Sequence, residues 1–379
     1  MVCLRDPAGY VEEPIVLSPV AYFIATMLDG VNDIVDIQYH FCNETGGRVL
    51  AAEDIQKVTG FLDSQGFLFS PRFHEIQRDV CDAFRKLPAR PAHLAGISYP
   101  AEANSLRERL AEWFNPDVLR DDEATAPQDR IRGLIAPHID FERGGAAYAH
   151  AYAGLAQNAV VDTALVFGVA HAGTQAPFVL TRKSFETPLG LVRADDERID
   201  QLAAACSWDP FEEEIVHRTE HSIEFQAVML AHVLGSGVRI VPVLCGTVGA
   251  EGSPDVADFL EACRGMAGES DGATVVVAGA DLAHVGLRFG DAFDVDEEVL
   301  GHIRSRDAQD LAFVEHIDPD GWRTSVMQDG NERRVCGLGC IYAALKSVQG
   351  VARRGKVRHY GIAPDPAGGV VSYAAATLY

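Results

Sequence analysis

Three histidines stand where runs of apolar residues end, His138 in "LIAPHID", His171 in "LVFGVAHAG" and His284 in "VVVAGADLAHVG", and a fourth, His221 in "RTEHSIEFQ", stands at the expected start of a helix. Carboxylates accompany them at Glu220, Glu224 and Asp281. Two or three imidazoles with a carboxylate suit a divalent transition metal. A two-histidine, one-carboxylate set with open positions suits ferrous iron, and three nitrogen or oxygen ligands suit zinc. His138, His171 and His221 are the candidate metal ligands. His221, His284, Asp281 and Glu220 are the candidate catalytic groups. A metal-free site can use the same residues, with one histidine as general base and another steadying an oxyanion. Taken singly, each residue has a plainer reading. A histidine on an apolar face is a packed core residue, and Glu220 or Glu224 is a carboxylate drawn to a helix N-terminus by its dipole. Glu220 and Glu224 are four apart, which places them on one face if both are helical. Repetition at several segment ends favours a shared site.

Such a site needs a scaffold that brings segment ends together. "IRGLIAP", "DTALVFGVA", "RIVPVLCG" and "ATVVVAGAD" are nearly continuous apolar runs of strand length, the mark of strands buried on both faces. Helical patterns over 144–157, 195–206, 220–235 and 254–266 separate them. The alternation predicts an α/β fold with a mostly parallel sheet flanked by helices. In such sheets, ligands bind beyond the C-terminal ends of the strands, which is where His138, His171 and His284 fall. "KVRHYGIA" and "GVVSYAAATLY" read as closing strands, and "SLRERLAEWF" as an amphipathic helix. "CGLGCIYAALKSV" reads as a helix holding Cys336 and Cys340. These are two packed thiols, or Cys336 approaches the site.

Residues 1–90 read as a separate small module, with 91–379 as the main domain. "SPVAYFIATMLDG", "DIVDIQYHFCNETGG" and "AAEDIQKVTGFLDSQG" have the start and stop signals of three helices. "FLFSPRF" alternates like a strand with a turn, and helices followed by a ribbon suggest a winged helix. The stretch around Pro88 and Pro91 reads as a linker. A DNA-reading winged helix needs a basic helix. Residues 1–90 hold 8 Lys/Arg against 13 Asp/Glu, a net of −5, so protein or peptide is the expected partner of this module.

The whole chain of 379 residues carries a net charge of −23, which argues against nucleic acid and anionic membranes. No apolar run approaches the length of a membrane span. The amino terminus lacks a signal-peptide pattern. The eight cysteines are scattered, without a CxxC pair, as expected of a reducing cytoplasm. No phosphate loop or G-x-S-x-G elbow occurs.

The motifs "LAGISYPAEANSLRERLAEWF", "LIAPHIDFERGGAAYAHAY", "FGVAHAG", "TEHSIEFQ", "VPVLCG", "AGADLAHVGLRFG" and "RVCGLGCIYAAL" follow one another over about residues 94–379. In kind and order they resemble the Memo family, the AmmeMemoRadiSam system protein B type. The resemblance implies an α/β fold similar to the class III extradiol dioxygenases, which use non-haem ferrous iron. It also implies that His138, His171 and His221 match the family's site histidines. Implied partners are a small molecule or peptide, a radical SAM protein and an AMMECR-type protein. Two activities follow: a binding protein that keeps the dioxygenase scaffold, or a metal-dependent oxidoreductase. In the animal protein a cysteine of D-F-C-H-W-G is a metal ligand, whereas "D-L-A-H-V-G" has Ala283 there. Loss of a soft thiolate predicts that iron, copper or zinc binds weakly or not at all, and that Cys at 283 raises affinity for a soft metal. Phe141 stands near the place of a family aromatic, shifted by one. The amino-terminal module is similar to the small winged-helix domains of the PqqD type, which recognise peptide precursors.

Overall fold

A computed structural model describes residues 1–6, 8–115, 119, 130–155, 161–235, 237–246, 255–269 and 274–379. The ends of the expected helices at 156–157 and 254, and the first residue of "ATVVVAGAD", lie outside them. The chain divides into two compact units, Met1–Leu87 and Pro88–Tyr379.

The first unit pairs β1 (Val2–Leu4) antiparallel with β2 (Ile15–Leu17), followed by α1 (Pro19–Thr26), α2 (Ile34–Glu44), α3 (Ala52–Ser64) and α4 (Pro71–Lys86). The three expected helices are α1 to α3. Their apolar faces enclose Ile24, Ile37, Phe41, Leu50 and Ile55. "FLFSPRF" does not form a strand. Ser70 accepts a hydrogen bond from the Phe73 amide at 3.3 Å, and Pro71 opens α4. Ser-Pro is a helix start here, as at Ser18–Pro19. The two-stranded ribbon comes from the other end of the unit.

The second unit begins with β3 (Ala89–Arg90), α5 (Ala103–Trp113), β4 (Gly133–Ala136), α6 (Phe141–Tyr152), β5 (Thr163–Val169), β6 (Phe178–Leu180), β7 (Ser184–Thr187) and β8 (Gly190–Ala194). It continues with α7 (Asp196–Ala204), α8 (Ser222–Leu234), β9 (Arg239–Cys245), α9 (Ala257–Ala267), β10 (Thr274–Gly279) and β11 (His284–Val285). It closes with α10 (Glu297–Glu315), α11 (Pro319–Val326), α12 (Leu338–Val348), β12 (Gly355–Pro364) and β13 (Val370–Leu378). The sheet runs β11-β13-β4-β10-β5-β9-β8-β7-β3, with β12 also on β13 and β6 also on β9. Neighbours from β4 through β10, β5 and β9 to β8 are parallel. The closing strands join antiparallel, β13 on β4 and β12 on β13.

Alternation within the strands explains their continuous apolarity. Leu134, Ala136, Ala164, Val166, Val275 and Val277 face one core with α6 and α8. Ile135, Leu165, Phe167, Val276 and Ala278 face the other with α9 and α12. Both faces of the central strands are therefore buried. β4, β10 and β5 are adjacent, so the residues just beyond Ala136, Gly279 and Val169 converge at one edge.

Two glycines let α8 reach that edge. A Cβ on Gly168 of β5 would stand 2.5 Å from Ile223 Cγ1 and 2.6 Å from Ser222 Oγ. One on Gly279 of β10 would stand 2.6 Å from the Ser222 carbonyl. Gly168→Ala must push the first turn of α8 outward and is expected to cost about 1–3 kcal/mol through overpacking. Urea unfolding followed by tryptophan fluorescence reads this unit, because Trp113, Trp208 and Trp322 all lie in it. A variant as stable as the parent would show that the close approach is not needed.

Candidate metal centre

His138 lies two residues past β4, His171 two past β5, and Asp281 two past β10. Glu220 and His221 immediately precede α8, so Glu220 and Glu224 do not share a helical face as their spacing suggested. The ring centroids of His138 and His171 are 5.0 Å apart, those of His138 and His221 5.3 Å, and those of His171 and His221 4.6 Å. One ring nitrogen from each histidine falls in a group whose members lie within 4.8 Å of one another. Strand ends thus place His138 and His171, and the start of α8 brings His221 to them.

Hydrogen bonds fix which nitrogen two of the rings present. His138 Nδ1 is 2.9 Å from the Gly279 carbonyl, which can only accept, so Nδ1 carries the proton. His171 Nδ1 is 3.0 Å from Glu220 Oε1 and donates to that carboxylate. His221 Nδ1 lies 3.2 Å from the same oxygen. In the neutral rings of His138 and His171 this leaves Nε2 as the unprotonated nitrogen. Metal-binding histidines are oriented in this manner, by an oxygen acceptor behind the ring.

Glu220 organises the cluster from behind. Its carboxylate accepts from the backbone amides of His171 at 3.0 Å, His221 at 2.8 Å and Ser222 at 2.9 Å. The last two cap α8, whose N-cap His221 makes no side-chain cap of its own. Burial works to raise the pKa of Glu220, but the hydrogen bond and charge of His171, then His221, outweigh it and hold the carboxyl well below its ordinary range.

The histidines respond differently. Burial lowers His138 to about 3 and His221 to about 4, so both are neutral near pH 7, with lone pairs available. Burial also opposes charge on His171, but the hydrogen bond and charge of Glu220 prevail and raise it. Asp281 is buried, its carboxylate accepting from the His138 amide at 2.9 Å and lying 3.7 Å from His138 Nε2. Burial raises its pKa against the opposing pull of His284 and the His138 amide. His284 sits on β11 with Nδ1 3.1 Å from the Leu282 carbonyl, and its amide donates to the Arg333 carbonyl at 2.7 Å. Burial lowers its pKa, while Asp281 raises it.

Other expected residues serve packing. Ala283 is fully buried and packs with Val285, Ile303 and Val370. Phe141 is buried against Tyr99, Trp113, Tyr148 and Phe225, as core and not as a site aromatic. Cys340 lies inside α12, whereas Cys336 precedes that helix, with Sγ 3.3 Å from His138 Nε2.

Glu224 belongs to a tie that sequence reasoning missed. Its carboxylate is 2.6 Å from Arg90 Nη1, and both side chains are fully buried. It also accepts from the amides of His93 at 3.2 Å and Leu94 at 2.8 Å, and from the Tyr99 hydroxyl. Arg90 in turn donates to the carbonyls of His217 and Glu220, both at 2.7 Å. The supposed linker around Pro88 and Pro91 is therefore bolted beneath the site. Nothing in the local pattern of "RPAHLAGISYP" signals this, because the partner of Arg90 lies in a distant segment.

A family model described as "Memo-like protein" matches residues 90–377. The chain belongs to the Memo family. A MEMO1 family protein of Aquifex aeolicus is 25% identical over 379 residues, covering 99% of this chain and 95% of its own length. MEMO1 family proteins of Methanosarcina acetivorans and Methanopyrus kandleri are 28% and 29% identical, each covering 76% of this chain and 97% of their own. The Aquifex match takes in the amino-terminal unit as well as the Memo unit. The Memo family has a dioxygenase-like fold, in agreement with the expected α/β architecture. Among the described residues, no helix is long and apolar enough to cross a membrane.

Proposed function

We propose that this Memo protein holds a divalent transition metal through Nε2 of His138, His171 and His221, and binds a small molecule at the remaining positions. The observation that carries the proposal is that one ring nitrogen from each of the three histidines falls within a single 4.8 Å group, with His138 and His171 each oriented by an oxygen acceptor on Nδ1. Nitrogen ligands at about 2.0–2.1 Å from a tetrahedral ion stand about 3.3 Å apart, so modest ring rotations close the set. A bound divalent ion supplies a Lewis acid and open positions for an oxygen or nitrogen donor. Asp281 and His284 then stand as the proton acceptors and donors, and Glu220 orients His171 and His221. Oxidoreductase chemistry is one use of such a centre, and capture of a ligand without turnover is the other.

Calorimetric titration with Zn(II), and with Fe(II) under anaerobic conditions, tests the centre. The expected result is one ion per chain, with binding lost in His171→Ala and in His221→Ala while circular dichroism shows both variants folded at the titration temperature. Equal binding by parent and variants would remove these histidines from the ligand set.

A further inference from the structure

We infer that Cys336 is a fourth protein ligand of this centre, bound as a thiolate beside His138 in a tetrahedral shell that expands to a fifth position when the small molecule binds. The inference rests on the metal reading above. Because Nδ1 of His138 donates to Gly279, the nitrogen facing Cys336 is the unprotonated Nε2, and the thiol donates to it across 3.3 Å. The thiol thus occupies the lone pair that a metal must take. A nitrogen at about 2.0–2.1 Å and a sulfur at about 2.3 Å on one tetrahedral ion stand about 3.5 Å apart. The observed separation already matches a pair of ligands on a shared ion.

The backbone fixes this approach. Gly337 donates its amide to the Asp281 carbonyl at 3.1 Å, and a Cβ there would stand 2.6 Å from that oxygen. Glycine is therefore what allows the turn before α12 to lie against the end of β10, next to Asp281. On the upstream side, the Val335 amide donates to Asn331 Oδ1 at 2.8 Å. Cys336 is held between these two anchors with its sulfur toward His138 and the Asp281 carbonyl at 3.6 Å. Coordination replaces the S–H···N bond by one metal–sulfur and one metal–nitrogen bond, and the thiol proton leaves to solvent. A soft ligand added to imidazoles shifts preference toward zinc, cobalt or copper over magnesium or calcium.

Cobalt(II) titration of the full chain under reducing, anaerobic conditions reads the sulfur directly. The expected spectrum has visible ligand-field bands and a near-ultraviolet sulfur-to-cobalt charge-transfer band. Cys336→Ser should keep the ligand-field bands and lose the charge-transfer band, and Cys336→Ala should do the same if the serine variant folds poorly. Cys340→Ser should keep both. Ligand-field bands without charge transfer in the parent would overturn the thiolate while leaving the histidine centre standing. Charge transfer that survives in both Cys336 variants would assign it to another cysteine and overturn the inference. Absence of any cobalt spectrum would remove the metal reading and the fourth ligand together.

Discussion

Replacing Glu224 with alanine is expected to cost the Memo unit about 3–5 kcal/mol, the usual price of leaving one partner of a buried ion pair uncompensated. Arg90 and Glu224 are both fully buried, so solvent cannot screen the charge left behind. The loss extends beyond the pair. Glu224 also accepts from the His93 and Leu94 amides and the buried Tyr99 hydroxyl, and alanine would take that acceptor from all three. For the same reason, Arg90→Met with Glu224→Leu should not restore stability, although such double replacements are often neutral where the pair is isolated. Arg90 supports the carbonyls of His217 and Glu220, and methionine cannot donate to them. The route to function is short, because the Glu220 carbonyl held by Arg90 belongs to the residue that orients His171. Urea unfolding read by tryptophan fluorescence measures the effect on this unit separately from the amino-terminal one. A change in the Glu224→Ala variant below about 1 kcal/mol, the range of an exposed pair, would show that the tie is not structural.

The parts of this molecule that were legible in the sequence are those where one physical rule acts alone. β4, β5, β9 and β10 are buried on both faces and read as unbroken apolar runs. His138 and His171 follow such runs, so their place at the sheet edge could be anticipated. α10 could not, because its buried face carries Asp307 and Asp310 between Ile303 and Val314. Those aspartates are matched by Arg333, which pairs with both from a distant segment. A helix whose inward stripe is charged loses the apolar period on which recognition depends. Arg90 is the same case at the site, a buried charge whose partner lies 134 positions away in the chain. In the sequence Cys336 fits packing and chemistry equally, and only its 3.3 Å approach to His138 separates the two. The fourth helix of the amino-terminal unit was missed for a different reason: Phe67, Phe69 and Phe73 gave the alternation of a strand, while Ser70 and Pro71 gave a helix start, and the cap prevailed.

Glu220→Gln should weaken metal binding by about 10–100-fold, the range found when a carboxylate behind a histidine ligand is removed. Glutamine has nearly the same shape but only one acceptor oxygen. Its amide nitrogen must face donors, since the carboxylate takes the His171, His221 and Ser222 amides as well as the His171 ring. Ring orientation and the cap of α8 are therefore lost together. The metal-free protein offers an independent readout in the titration of His171 by NMR. In the parent the Glu220 charge keeps the His171 midpoint above its ordinary 6.5, although burial opposes it. With the charge gone, burial prevails and the midpoint should fall below 6.5. Stability follows with definite sign. The raised His171 contributes stability that is full below its unfolded value and is lost as pH rises through the folded one. The depressed Glu220 contributes stability present above the ordinary carboxylate range and lost as pH falls through its folded value. Both contributions are present in mildly acidic solution, between the carboxylate range and the His171 midpoint, so the parent should exceed the variant by most there. A variant with the same His171 midpoint as the parent would show that Glu220 does not act through this imidazole, and its place behind the metal centre would have to be given up.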